Sequence, residues 1–146
     1  MGIGVLIIGK SGSGKSTSLR NFKSDEVGII NVISKPLPFK NVNGLKTIDT
    51  DNYADIKKII EGSKTPSIVI DDAGYLITNQ FMRKHSNAGA GNGVYNLYNE
   101  LADNFWTLTE QIKALPKDKI VYIIMHEERN DFGDIRTKNH RQTFKW

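Results

Sequence analysis

No cysteine occurs among the 146 residues. That excludes disulfides, thiolate metal sites and thiol nucleophiles, and it suits a reducing compartment such as a cytoplasm. No apolar run approaches the roughly 20 residues of a membrane-spanning helix. The opening segment Met1–Ile8 is apolar, but it lacks the basic stretch and small-residue cleavage site of a secretory signal, so none is expected. Strong charge of either sign is also missing. The net charge is +4, and Arg141 and Lys145 near the end supply two of those charges. The rest is nearly neutral, which permits nucleic-acid contact without arguing for it. With 38% hydrophobic and 25% charged residues, the composition is that of an ordinary soluble domain, and the length suits one core.

What is present is an alternation of branched apolar runs and helical patterns. Ile3–Ile8 reads as a buried parallel strand and Ser16–Phe22 as a short helix with Leu19 and Phe22 inward. Val27–Val32 is a second strand, and the segment from Ile33 to Gly44, with Pro36 and Pro38, is loop. Leu45–Ile48 is a short strand. Asp51 is placed to cap a helix carrying Tyr53, Ile56, Ile59 and Ile60 inward. Ser67–Asp72 is a buried strand ending in two acids. Ala73–Ser86 reads as turn plus short helix, and Asn87–Gly93 as a glycine-rich loop. Val94, Leu97, Leu101, Phe105, Leu108, Ile112 and Leu115 recur every three or four residues, the stripe of one long helix. Lys119–Met125 is a last strand, followed by His126-Glu127-Glu128. This α/β alternation predicts a parallel sheet flanked by helices, with ligands beyond the carboxyl ends of the strands.

One of those ends carries Gly9-Lys10-Ser11-Gly12-Ser13-Gly14-Lys15-Ser16-Thr17. Gly9, Gly14, Lys15 and Ser16 satisfy the spacing of a phosphate loop. Glycines let main-chain N–H groups wrap a polyphosphate, and a helix starting near Lys15 would add its positive end. Lys15 is expected to reach the β- and γ-phosphates and the Ser16 hydroxyl to ligate Mg²⁺. By chance such a motif would be only a glycine-rich turn; its place between a strand and a helix argues otherwise. The fold class expected is therefore an α/β P-loop NTPase, a parallel sheet flanked by helices, and the ligands are ATP (or GTP) and Mg²⁺.

Asp71 and Asp72 end another apolar strand, the pattern of a Walker B segment. Mg²⁺ is a hard cation that takes one or two carboxylates and keeps waters. Asp71 is expected on the metal side, and Asp72 is placed to orient or deprotonate an attacking water. The plain alternative for either acid is a helix cap. In P-loop proteins with such a second acid, the following strand inserts between the acid-bearing strand and the phosphate-loop strand. That puts His126 at its tip as a γ-phosphate sensor, against the alternative of an ordinary loop histidine. Arg83, Lys84 and His85 beside Tyr95 and Tyr98 would suit single-stranded nucleic acid, although an exposed helix end is the simpler account. Arg83, Arg129 and Arg136 are candidates for an arginine finger acting across a homo-oligomer boundary.

The phosphate loop, Asp51-Asn52-Tyr53, Ile70-Asp71-Asp72 with Tyr75-Leu76, Phe81-Met82-Arg83, the long helix and Val121–Glu127 occur in this order. Together they resemble the small RecA-like ATP-binding proteins of tailed bacteriophages associated with single-strand annealing and recombination. The resemblance covers roughly residues 1–138. It implies ATP as ligand, slow hydrolysis linked to single-stranded DNA, homo-oligomers, and action in the bacterial host cytoplasm. It also implies a Thr-x-Gly-Lys and leucine-rich continuation after Lys138, where Asn139–Trp146 stand instead. A single-base slip in an adenine-rich run at Lys138 would convert one into the other. The expected organisation is a P-loop domain over 1–138 and a non-native tail over 139–146, a C-terminal truncation that would leave Ile3–Ile8 as an open edge prone to self-association.

Three rivals are weighed. A small-molecule kinase usually carries an arginine-bearing lid, and Asn87–Gly93 has no arginine. A transporter ATPase would need a Ser-Gly-Gly signature, which is absent. A nucleotide-binding remnant without turnover is the non-enzymatic alternative.

Overall fold

The computed structural model describes residues 1–129 and 132–137. Lys138 and the segment 139–146, expected to be a non-native tail, lie outside the described residues. Six strands and three helices follow one another: β1 Ile3–Gly9, β2 Val27–Asn31, β3 Lys46–Asp49, α1 Tyr53–Gly62, β4 Ser67–Asp71, α2 Gly74–Lys84, α3 Asn92–Ala114, β5 Ile120–Arg129 and β6 Ile135–Thr137. Five strands pair in parallel in the order β1-β5-β4-β2-β3. β5 thus lies between β1 and β4, as expected for the strand that follows the acidic pair.

The sheet divides the interior into two unequal cores. Alternate residues of a strand point to opposite faces. Ile68 and Ile70 therefore join Ile30, Val121 and Ile123 against Ile56 and Ile60 of α1, Leu76 of α2 and Leu108 and Ile112 of α3. Val69 faces the other way, with Ile29, Ile124 and Leu19, under a cover of Phe22, Leu37 and Phe39. Three helices close one face, and a short turn with an irregular loop closes the other.

Four local expectations are corrected. Thr17–Asn21 is a 3₁₀ turn, not an α-helix, so little helix dipole stands behind the phosphate loop. Asn52, not Asp51, caps α1, accepting from the amides of Ala54 and Asp55 at 2.8 and 3.3 Å. Asp51 instead accepts from Asn79 Nδ2 at 2.7 Å and pairs with Arg83, joining the start of α1 to α2. Those two bonds outweigh the opposing effect of burial and hold its carboxyl below the usual range. β5 runs on to Arg129, because β6 turns back and pairs antiparallel with Glu127, Glu128 and Arg129. Finally, β1 is not a fully buried strand. No described strand pairs on its far side, and Ile3 and Leu6 are 49% and 51% exposed.

Candidate functional site

The register of the sheet brings the polar strand ends together. Gly9 pairs with His126 at the β1–β5 boundary, and Ile70 pairs with Ile123 one strand over. The chain leaves β1 into the glycine-rich loop at the level where β4 delivers Asp71 and β5 delivers His126. His126 is part of β5 rather than beyond it.

Within the loop, Gly12 and Gly14 have φ of +75° and +91°. A side chain there would be strained, whereas glycine takes up this left-handed backbone freely. Ser13 N donates to Lys10 O at 3.2 Å and Ser18 N to Gly14 O at 2.9 Å, closing the turn. Lys15 Nζ donates to Gly9 O at 2.8 Å and Lys10 O at 2.6 Å, so the amine lies across the loop.

Ser16 Oγ donates to Asp71 Oδ1 at 2.9 Å, across 55 residues of sequence. Asp71 is 3% exposed. Burial raises its pKa, the Ser16 bond opposes the rise, and the neighbouring Asp72 charge adds to it; the net direction is upward. The hydroxyl–carboxylate pair is a hard oxygen donor set of the kind Mg²⁺ takes from protein when phosphate and water supply the rest. These residues fit that ion, and it would supply charge neutralisation on a phosphate chain. Among the described residues no cluster of three or more His, Asp or Glu offers a dedicated metal cage.

The Asp72 side chain does not cap the helix that follows; Ala73 holds the N-cap position, with no side-chain cap bond. Asp72 is 2% exposed and sits at φ +57°, with Ala73 N anchored to Ile124 O at 2.8 Å. A non-glycine residue held in that region costs about 1–3 kcal/mol, less for Asp, and persists when its surroundings fix it. They do so here: His126 Nε2 lies 3.1 Å from Asp72 Oδ1, and Lys35 Nζ pairs with Oδ2. Tyr75 stands edge-on to the His126 ring at a centroid distance of 6.3 Å. His126 thus touches the second acid directly.

Lys35 is the residue that sequence reasoning missed. It comes from the loop after β2, where Asn31 Nδ2 donates to its carbonyl at 2.6 Å and Ser34 has φ +54°. Burial lowers its pKa, but the hydrogen bond and charge of Asp72, with Asp71 behind, prevail and raise it. One cleft is lined by Ser11, Gly12, Gly14, Lys15, Ser16, Thr17, Lys35, Pro38, Asp72 and His126. A basic residue just past a strand's carboxyl end was the available signal, and it is a weak one.

Arg83, Lys84, His85 and Arg129 are engaged elsewhere. Arg83 pairs with Asp51, and Lys84 with Glu100. His85 stacks on Phe81 at 5.2 Å, and Tyr98 stacks on Phe81 at 5.8 Å. Arg129 Nε lies 3.4 Å from Glu127, whose side chain is 12% exposed and so less solvated than a free strand end would leave it. Arg136 stands opposite Glu128 in the β5–β6 register. Arg83, Lys84, His85, Tyr98 and Arg129 are not among the described residues lining the cleft.

A family model described as an AAA domain matches residues 1–145. No curated protein matches the chain.

Proposed function

The chain belongs to the AAA domain family, and from that premise we propose that it binds ATP with Mg²⁺ and hydrolyses it. The observation that carries this reading is the junction of Ser16 with Asp71 at 2.9 Å, beside an Asp72 that is buried and ion-paired. In it, the loop amides and Lys15 hold phosphate charge. Ser16 and Asp71 hold the metal ion. Asp72 orients the attacking water, and His126 holds Asp72 and senses the terminal phosphate through it. The chemistry is phosphoryl transfer to water, in which positioning and charge stabilisation do most of the catalysis. The shorter side chain of an aspartate, where many hydrolytic relatives carry glutamate, fits slow turnover.

The resemblance to phage annealing-associated proteins supports a role in DNA recombination or replication, with single-stranded DNA as the partner and homo-oligomers as the working form. Arg83 and Lys84 are already paired with acids, so a DNA-binding surface would have to lie elsewhere or displace those pairs. Single-turnover and steady-state phosphate release with ATP and Mg²⁺, with and without single-stranded DNA, tests the reading. Wild-type protein should bind a fluorescent ATP analogue in a Mg²⁺-dependent way. Lys15→Ala, which removes a charged hydrogen-bond donor, should weaken that binding roughly tenfold to a hundredfold. Failure of the wild type to bind any nucleoside triphosphate would end this account. Phosphate transfer to a metabolite instead of water would point to a kinase, and binding without turnover to a remnant.

A further inference from the structure

Lys35 stands where two environments meet. Behind it lies Asp72, 2% exposed; its own side chain is 41% exposed and faces the cleft shared with the phosphate loop. The loop that brings it there is fixed rather than loose. Asn31 Nδ2 holds the Lys35 carbonyl at 2.6 Å, and Val32 N donates to Asp71 O at 3.3 Å, so the start of the loop after β2 is tied to the end of β4. The two residues that set the contact, Ser34 and Asp72, both have left-handed backbone without being glycine. Strain retained on each side of an ion pair points to a contact the fold specifies.

Among the described residues lining the cleft, Lys15 and Lys35 are the two amines, and they are held by different partners, Lys15 by the loop carbonyls and Lys35 by Asp72. Lys15 belongs to the loop side, bonded to Gly9 O and Lys10 O. Asp72 brings a carboxylate to the cleft wall, and a phosphate chain running towards it meets repulsion unless a cation intervenes. Lysine suits that task. It is a compact charge on a flexible stem with three donors, able to change between a carboxylate and a phosphate oxygen.

We propose that Lys35 is a second phosphate-facing cation of this site, pairing with the terminal phosphate of a bound triphosphate and so setting the preference for triphosphate over diphosphate. The proposal rests on the reading that the cleft takes a nucleoside triphosphate. A diphosphate held by the loop stops short of the Asp72 side and makes no use of Lys35. When Lys35 turns to phosphate, Asp72 keeps His126 and has one oxygen released to align water.

The test is calorimetric titration of the full chain, in Mg²⁺, with ADP and with the β,γ-imido analogue of ATP. Wild type should bind the analogue more tightly. Lys35→Ala should weaken the analogue by about tenfold or more while leaving ADP within about twofold, and Lys35→Arg should recover most of the loss. Equal losses for both ligands, or no loss for either, overturns the proposal. Lys35→Ala also leaves the Asp72 charge with one partner fewer, so the double variant Lys35→Ala/Asp72→Asn separates the two effects and serves if the single variant fails to fold. A preference that stays lost in the double variant supports phosphate contact; one that returns shows that Lys35 only balances Asp72. Wild type binding neither ligand is a different failure, that of the triphosphate reading itself.

Discussion

β4 and β1 are built from the same kinds of residue, and each delivers functional groups at its carboxyl end, yet they live in different surroundings. Every residue of β4 is buried, between β2 and β5. Among the described strands β1 pairs with β5 alone, and Ile3, Leu6 and Ile8 keep 49%, 51% and 37% of their surface. A run of branched apolar residues shows that a strand belongs in a sheet. It does not show how many neighbours the strand has, because neighbours are set by pairings distant in sequence. The opposite edge, β3, is four residues long and each of its residues is exposed, Lys46 and Asp49 among them; short, charged edges resist further pairing. β1 has neither protection. The two ends of one sheet are therefore unlike, and the phosphate loop hangs from the unprotected one.

The sharpest way to test that contrast is to cut into the buried strand. Ile70 is fully buried among α1, α2 and β5 residues. Ile70→Ala removes three carbons from a filled core and should cost about 2–5 kcal/mol, read as a lower midpoint in urea with an unchanged slope. If the cost falls below about 1 kcal/mol, β4 is not the packed centre described here.

Asp71→Asn probes the end of the same strand, with a smaller and opposite effect on stability. The folded carboxyl has a raised pKa, so the folded state holds its proton more tightly than the unfolded state does. The penalty for burying the charge is absent below the unfolded value near 4, and it is fully expressed above the folded value. At neutral pH the asparagine variant should therefore be more stable without nucleotide, by on the order of 1 kcal/mol. Asn Oδ1 can still accept from Ser16. The gain should shrink as pH falls through the raised carboxyl pKa, measured by thermal unfolding across pH. The same variant should lose the Mg²⁺ dependence of nucleotide binding. A variant less stable than wild type at every pH would show that Asp71 is a structural anchor rather than a group held at a cost for function.

These sites differ in how far the sequence reveals them. The phosphate loop is contiguous, and Asp71-Asp72 closes an unbroken apolar run, so both are legible from local pattern, as are the α/β class and the stripe of α3. Lys35 is not, because its role comes from where a proline-containing loop lands after β2 pairs with β4. Asn52 and Asp51 are equally good caps by type. The choice fell to Asn52 because Asn79 and Arg83 draw Asp51 away, a contact across 28 and 32 residues. The extension of β5 past His126 depends on β6, which sits across a turn that carries no strand pattern of its own. In each case a side chain or segment was decided by a partner that lies far along the chain.

The smallest effect on stability, and the one that bears most directly on the two edges, belongs to Leu6→Thr. Leu6 is half exposed on β1 and borders an apolar groove with Phe105, Ile112 and Met125. Threonine is β-branched, a shape strands favour, and it replaces apolar surface by a hydroxyl. Little burial is lost, so stability should move by no more than about 0.5 kcal/mol. Self-association is where the change should appear. An unpaired row of N–H and C=O groups flanked by exposed leucine and isoleucine is a template for another strand. The variant should therefore elute closer to monomer size, and shift less with concentration, than wild type in sizing with light scattering. The matching change at the other edge, Ile48→Thr on β3, should leave the elution where it was, since that edge is already short and charged. Equal behaviour of the two variants would mean that β1 is no more open than β3, and that the difference in exposure has no consequence for how the molecule associates.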